Sequence, residues 1–128
     1  MARNSRKKRV VLVVEDDELI RMHAADMVRD MGFETIEAAN ADEAISLLEK
    51  CPDITVVFTD IQMPGSMDGL RLLAVVRDRW PPVALLVASG QVQPPASALP
   101  AGARFLSKPY LSHQLKTHLS ALTETGSA

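Results

Sequence analysis

The sequence predicts an α/β domain built on a doubly wound parallel sheet, and two observations lead to that prediction. Short apolar runs alternate with amphipathic stretches along most of the 128 residues, which is the pattern of strand–helix–strand units with right-handed crossovers. The first run, Val10–Val14, is continuously apolar, as expected of a strand covered by helices on both faces. The chain length is that of a single domain.

The first half of the chain predicts two strand–helix units. After the strand at 10–14, residues 18–31 have helical periodicity, and Gly32 is a suitable stop. Residues 33–38 form a weaker strand. Asn40 is the predicted cap of a second helix, with Glu43 at its third position, and Cys51-Pro52 ends that helix. The apolar face of the first helix is predicted to contain Ile20, Ala24, Met27, Val28 and Met31.

The second half continues the alternation with one interruption. Strands are predicted at 54–59, 83–88 and 103–107, and a helix follows Asp68-Gly69 and ends at Trp80. Between the fourth and fifth strands, residues 89–102 contain three prolines and two glycines, which leaves room for one short helix at best, around 96–99. The last helix is predicted to place its leucines in the core: Leu111, Leu115, Leu119 and Leu122.

Composition and charge narrow the possible classes of protein. The single cysteine cannot form an internal disulfide and fits a reducing compartment. No apolar run has the length of a membrane span or a secretory signal, so a cytoplasmic location is expected. Five of the 14 basic residues precede residue 10, which leaves nine basic against 16 acidic residues in the remainder. A body this acidic is a poor nucleic-acid binder, and the basic start is predicted to be a solvated tail.

Charged and polar residues follow four of the predicted strands. Glu15-Asp16-Asp17 follows the first strand, Asp60 the third, Ser89 the fourth and Lys108 the fifth. Open α/β sheets place their ligand sites at the carboxyl ends of the strands. Carboxylates facing an ammonium there form a site for a hard cation and a phosphoryl group, with Asp60 as the predicted acceptor.

Attack of a carboxylate on phosphorus must overcome charge repulsion, and a magnesium ion is the usual solution. Asp16 and Asp60 are the predicted direct ligands, Glu15 binds directly or through water, and the main-chain carbonyl of Gln62 adds an oxygen. Lys108 is predicted to pair with the phosphoryl oxygens. Ser89 is predicted to donate a hydroxyl hydrogen bond to the same group.

Each of these residues also has a simpler interpretation. The acidic run at 15–17 fits a helix N-terminus stabilised by the dipole, and Asp60 fits turn chemistry before Pro64-Gly65. Lys108 fits a solvated loop, and Ser89 beside a glycine is an ordinary turn residue. The functional interpretation depends on the order and strand-end placement of the whole set.

Five motifs stand out at the strand ends and loops. They are Val13-Val14-Glu15-Asp16-Asp17, Thr59-Asp60-Ile61-Gln62-Met63-Pro64-Gly65, Met67-Asp68-Gly69-Leu70, Ala88-Ser89-Gly90 and Phe105-Leu106-Ser107-Lys108-Pro109-Tyr110.

Together these motifs resemble the receiver domain of two-component response regulators, over residues 9–122. The resemblance implies a flavodoxin-like fold with five parallel strands, a cis peptide before Pro109, and a Mg²⁺-binding signalling protein rather than a conventional enzyme. It implies that Asp60 accepts phosphate from a histidine kinase or a histidine phosphotransfer protein, that Ser89 is the switch hydroxyl, and that Phe105 reorients with it.

On this interpretation residues 1–8 are a basic tail, residues 9–122 a stand-alone receiver and residues 123–128 a disordered tail. Direct DNA binding is not expected, and the receiver is expected to promote its own phosphorylation and dephosphorylation while signalling to an unknown downstream protein. Gln62 and Gln91 are predicted to flank the attacking water. An amide can orient water but takes its proton poorly, so a persistent phosphoaspartate is expected.

Three features depart from the usual receiver pattern. The acid pair aligns as Glu15-Asp16 or as Asp16-Asp17, and the first is preferred because it follows directly on the strand. Gly90 stands where receivers usually have alanine. The proline-rich segment replaces most of a fourth helix, so the degenerate segment 91–102 is predicted to be the switching surface.

Two other functions compete with the receiver interpretation. A haloacid dehalogenase-like phosphoaspartyl hydrolase also uses an aspartate nucleophile after a strand, but its second acid would stand at the position of Gln62. A receiver-like scaffold that is never phosphorylated is the third possibility, and the intact set of acids argues against it.

Overall fold

The computed structural model describes residues 9–61, 69–90 and 99–124, with the side chain of the last residue excepted. These residues form a single parallel sheet with the strand order β2-β1-β3-β4-β5. The strands are β1 (Val10–Val14), β2 (Glu34–Ala38), β3 (Ile54–Asp60), β4 (Ala84–Ser89) and β5 (Arg104–Ser107). The described helices are α1 (Glu18–Asp30), α2 (Ala41–Lys50), α3 (Gly69–Arg79) and α4 (Ser112–Glu124). The predicted flavodoxin-like sheet is confirmed.

Alternate residues of the buried strands point into two separate core layers, as the pleat of a strand requires. Leu12 packs in the layer beneath α2 and α3, whereas Val11 and Val13 pack in the layer beneath α1 and α4. Both faces of β1 are therefore covered, which explains why its sequence is continuously apolar. None of the described helices has the length and apolar character needed to cross a membrane.

The predicted cap of the second helix is confirmed in detail. The side chain of Asn40 accepts a hydrogen bond from the main-chain N–H of Glu43 at 2.8 Å. The carboxylate of Glu43 in turn accepts from the N–H of Ala39 at 2.6 Å. Reciprocal bonds of this kind satisfy donors that the helix cannot pair internally, so α2 begins where its sequence predicts.

The last helix differs from its prediction at both ends. Leu111 precedes the first residue of α4 and is 61% exposed, so its assignment to the core is wrong. The leucine spacing extends backwards to a residue that precedes the helix, because α4 begins only at Ser112. Leu115 and Leu119 are fully buried as predicted. Thr123, predicted to belong to a disordered tail, lies within α4.

The start of α3 is packed directly on the main chain at the end of β3. The N–H of Gly69 donates to the carbonyl oxygen of Ile61 at 2.8 Å. A Cβ atom at Gly69 would overlap the carbonyl oxygen of Asp60 and would lie 2.8 Å from its carbonyl carbon. The approach therefore requires glycine for its lack of a side chain.

Arg77, near the end of α3, holds the chain that enters β5. Its guanidinium donates to the carbonyl oxygen of Pro81 at 2.7 Å and to that of Ala101 at 2.8 Å. Leu99 and Ala103 pack against the α2–α3 core layer. The structure does not describe residues 91–98, which include most of the segment 91–102 and residues 96–98 of the short helix predicted at 96–99.

Candidate functional site

Strand register brings the predicted site residues to one edge of the sheet. Asp60 ends β3 opposite Ala88, and Ser89 follows at the end of β4. The main-chain N–H of Lys108 donates to the carbonyl oxygen of Ser89 at 2.9 Å. Because the strands are parallel, their carboxyl ends meet at this edge, and residues distant in sequence become neighbours.

Three carboxylates form a cluster at this edge. One oxygen each from Glu15, Asp16 and Asp60 lies within 4.8 Å of the others. Glu15 is buried, Asp60 half-buried and Asp16 exposed. Asp17 has a different role, because its carboxylate caps α1 by accepting from the N–H of Ile20 at 3.0 Å. The geometry therefore favours Glu15-Asp16 as the acid pair.

The ammonium group of Lys108 lies against this cluster. Its Nζ atom is 2.9 Å from Oδ1 of Asp60 and 3.5 Å from Oε1 of Glu15. Burial by itself lowers the pKa of the Lys108 ammonium, but the hydrogen bonds and charges of Asp60 and Glu15 outweigh it, so the pKa lies above its ordinary value. Lys108 is therefore a permanent positive charge at the site.

The cluster carries more negative charge than one lysine can neutralise. Burial raises the pKa of Glu15, and the hydrogen bond with Asp16 and the charge of Asp60 raise it further, against the lowering effect of the Asp17 N–H. Converging carboxylate oxygens of this kind are the ligands that Mg²⁺ prefers. The acidic cluster is therefore compatible with a magnesium site.

Ser89 and Phe105 occupy the positions expected from the motifs. The Ser89 hydroxyl is buried without a hydrogen-bond partner among the described residues. A buried unpaired hydroxyl has a free-energy cost, which a ligand at the site can offset. Phe105 is opposite Val87 and packs partly buried against the α2–α3 core layer. The peptide bond between Lys108 and Pro109 is cis, as predicted.

Comparison with known proteins agrees with this geometry, because the family model described as "Response regulator receiver domain" matches residues 11–120. The chain belongs to the response regulator receiver domain family.

Individual relatives extend this assignment. A putative NtrX-like response regulator of Rickettsia bellii is 36% identical over 82% of this chain and 23% of the relative. The sensor kinase CckA of Brucella abortus is 34% identical over 89% of this chain and 12% of the kinase. The crystal structure of the receiver domain of NtrX from Brucella abortus has a TM-score of 0.82 at 33% identity, covering 90% of this chain and 98% of that one. The chain thus spans about a quarter or less of these two longer relatives.

Tyr110 is a member of the receiver site that the sequence prediction missed. It lines a small, open pocket together with Glu15, Asp60 and Lys108. Its ring meets that of Phe58 edge-on, with centroids 5.9 Å apart. Burial raises the pKa of the Tyr110 hydroxyl, with a smaller opposing effect from Lys108. The aromatic residue two positions after the lysine was the available signal.

Two predicted residues of the site are not placed by the structure. Gln62 and Gln91 lie outside the described residues. Their roles in positioning water, and the main-chain carbonyl ligand at Gln62, stay predictions.

Proposed function

We propose that Asp60 is the residue of this receiver that accepts a phosphoryl group, and that the modification switches its conformation for a partner protein. The contact between Lys108 and Asp60 at 2.9 Å carries this proposal. It places a permanent cation beside a carboxylate. Ser89 ends the neighbouring strand, and its buried hydroxyl has no hydrogen-bond partner among the described residues. A phosphoryl group on Asp60 would give both side chains an oxygen partner.

Transfer requires little covalent chemistry from the protein. A carboxylate oxygen of Asp60 forms a bond to phosphorus while the phosphorus–nitrogen bond of a phosphohistidine breaks. The imidazole leaves with the electron pair and is neutral when its other nitrogen carries a proton. Bound Mg²⁺ supplies positive charge that lowers the repulsion between the carboxylates and the phosphoryl oxygens. Lys108 stabilises the same oxygens, so positioning and charge promote both the gain and the later loss of the group.

Removal of a carboxylate from the cluster is expected to weaken magnesium binding. Glu15, Asp16 and Asp60 are the proposed ligands. Asp16→Ala should raise the Mg²⁺ dissociation constant by about tenfold or more, because the exposed ligand is lost while the core is untouched. Titration calorimetry measures this directly. The matched control is Glu18→Ala, which removes an equal charge from the first turn of α1. Equal affinities for the two variants would contradict the assignment.

The affinity for magnesium is also expected to fall on acidification. A protonated carboxyl group is a poor ligand, so protons compete with the metal. Because the pKa of Glu15 lies above its ordinary value, competition should begin at a higher pH than for an unperturbed glutamate. Binding should be tightest above that raised pKa and weaken as the pH falls through it. Calorimetry across a pH series checks the sign, and a constant affinity down to mildly acidic pH would contradict it.

The phosphoryl donor is proposed to dock on exposed apolar side chains beside the pocket. Leu19 is 76% exposed, Met22 46% and Leu111 61%. Ile20, between the first two, lines the pocket with Asp60. Leu111 follows Tyr110, which also lines the pocket, so a protein that brings a phosphohistidine to Asp60 is proposed to contact this rim. The proposed occupant is therefore the histidine kinase or histidine phosphotransfer protein itself.

A polar substitution on this rim should slow phosphoryl transfer from a protein donor but leave transfer from a small-molecule donor unchanged. Leu19→Ser is expected to slow transfer from a phosphorylated histidine protein by about tenfold, since hydrophobic contacts of one side chain are worth roughly 1–2 kcal/mol. Acetyl phosphate, too small to touch the rim, should label the variant at the wild-type rate. Equal slowing with both donors would indicate damage to the site and would count against docking at Leu19.

The output is proposed to pass through the proline-rich segment 91–102 and Phe105 to a downstream protein. Ser89 lies at one end of that segment, and Phe105 lies beyond the other end.

Gln62 and Gln91 are proposed to make the phosphorylated state persistent. A cytoplasmic location suits a histidine kinase as donor. The proposed receiver boundaries, 9–122, enclose the family match at 11–120.

A further inference from the structure

We propose that Arg21 is a positioning residue for the acidic site and that Glu37, on the edge strand β2, holds it in place. The inference rests on the proposed function, because it concerns the same magnesium site. The decisive contact is a hydrogen bond from Nη1 of Arg21 to the main-chain carbonyl oxygen of Glu15 at 3.0 Å. Nε of the same guanidinium lies 3.3 Å from Oε1 of Glu37.

The turn that presents the acids is held from several sides. The N–H of Glu15 donates to the carbonyl oxygen of Ala38 at 3.0 Å, and its carboxylate accepts from the N–H of Asp17 at 3.1 Å. The bond from Arg21 occupies the Glu15 carbonyl, which lies between these two anchors. The orientation of the following residue, Asp16, depends on that peptide unit. Asp16 is the most exposed of the three proposed ligands.

The guanidinium is itself fixed. The side chain of Arg21 is only 17% exposed. One edge of its guanidinium forms an ion pair with Glu37, and another edge donates a hydrogen bond to the Glu15 carbonyl. A planar guanidinium can serve two acceptors at once in a set geometry, and a lysine ammonium cannot reproduce that fork. The chain of contacts therefore runs from the edge strand through α1 to the metal turn.

Arg29 provides a matched control on the same helix. It also pairs with Glu37, at 3.3 Å from Oε2, but its other partners are the carbonyl of Thr35 and the carboxylate of Asp26. Arg29 thus shares the helix, the charge and the acid with Arg21. It differs from Arg21 because, within the described part of the chain, its guanidinium bonds to Thr35, Asp26 and Glu37 and not to the Glu15 carbonyl.

Loss of Arg21 should change the affinity for Mg²⁺ in two ways, through its charge and through the positioning of Asp16, and the two effects have opposite signs. Loss of a cation near three carboxylates, by charge alone, strengthens the attraction for Mg²⁺. Loss of a group that orients a ligand weakens metal binding, typically by about tenfold to a hundredfold. Arg21→Met, which keeps the aliphatic stem, should therefore raise the Mg²⁺ dissociation constant about tenfold. Arg29→Met should leave it unchanged or slightly lower it.

The experiment is titration calorimetry of both methionine variants and of Arg21→Lys, with circular dichroism as a check on folding. Arg21→Lys keeps the charge and should also bind Mg²⁺ more weakly, which keeps the test valid if Arg21→Met fails to fold. Labelling by acetyl phosphate should return to the wild-type rate at saturating Mg²⁺. Arg21 variants that bind as tightly as wild type, or an equal loss in Arg29→Met, would overturn the proposal.

A second measurement needs no metal. Amide exchange of Glu15 and Asp17, followed by NMR in metal-free protein, should accelerate in Arg21→Met and stay at the wild-type rate in Arg29→Met. Failure of wild-type protein to bind Mg²⁺ would count against the magnesium site itself. Unchanged exchange in Arg21→Met would overturn the positioning role of Arg21, whatever the metal result.

Discussion

Asp60→Asn is expected to abolish phosphorylation of this protein. The amide is nearly isosteric with the carboxylate, so the strand end should keep its shape. The amide carries no negative charge and its oxygen is a poor nucleophile, so no bond to phosphorus forms. Incubation with acetyl phosphate and Mg²⁺ should add one phosphoryl group to the wild type and none to the variant, as measured by intact mass.

Asp53→Asn is the matched control for that experiment. Asp53 is exposed and precedes β3 at the opposite edge of the sheet, so its loss changes the net charge equally without touching the acid cluster. It should be labelled like the wild type. Undiminished labelling of Asp60→Asn would show that another group accepts the phosphoryl, with Glu15 and Asp16 as the nearest carboxylates.

Gly69→Ala is expected to lower the free energy of unfolding by about 2 kcal/mol, which is typical of an extra carbon atom forced into a packed interior. The added methyl group would overlap the carbonyl of Asp60, which is main chain and cannot rotate away. Intrinsic helix propensity favours alanine over glycine, so a loss of stability would have to come from this overlap. Urea unfolding followed by circular dichroism measures the change.

Gly90→Ala distinguishes overlap from the general effect of adding a methyl group. Among the described residues, the nearest neighbour of a Cβ atom at Gly90 would be Cβ of Lys108 at 3.5 Å, which is ordinary van der Waals contact. The change in unfolding free energy should stay within about 0.5 kcal/mol. If Gly69→Ala were as stable as Gly90→Ala, α3 would not require its close approach to β3.

Local patterns in the sequence were sufficient to predict the strands and most helix limits. A strand covered on both faces must be apolar throughout, so Val10–Val14 is recognisable without knowledge of its neighbours. Asn40 and Glu43 mark the start of α2 because their hydrogen bonds are local. Acids and a lysine placed after successive strands indicated a shared edge, since parallel strands end together.

Contacts between distant segments account for what the sequence did not predict. The bond from Arg21 to the Glu15 carbonyl involves a main-chain atom, and main-chain atoms have no sequence signature. Helical periodicity placed Ile20 on the buried face, yet it is 46% exposed in the first turn of α1. Leu111 was misplaced because periodicity does not show where a helix begins. The need for glycine at the start of α3 arises only when β3 lies against it.

The bonds made by Arg77 have a consequence for how such a protein can diversify. Arg77 ties the carbonyl of Ala101 to α3, and the N–H of Lys108 ties the carbonyl of Ser89 to β5. Both junctions around residues 91–98 are therefore secured by groups outside that stretch. If the stretch carries the output as proposed, its sequence after Gln91 can change under selection while the residues proposed to handle the phosphoryl group are kept. Recognition of the output partner and phosphoryl transfer to Asp60 can then change independently within one small domain.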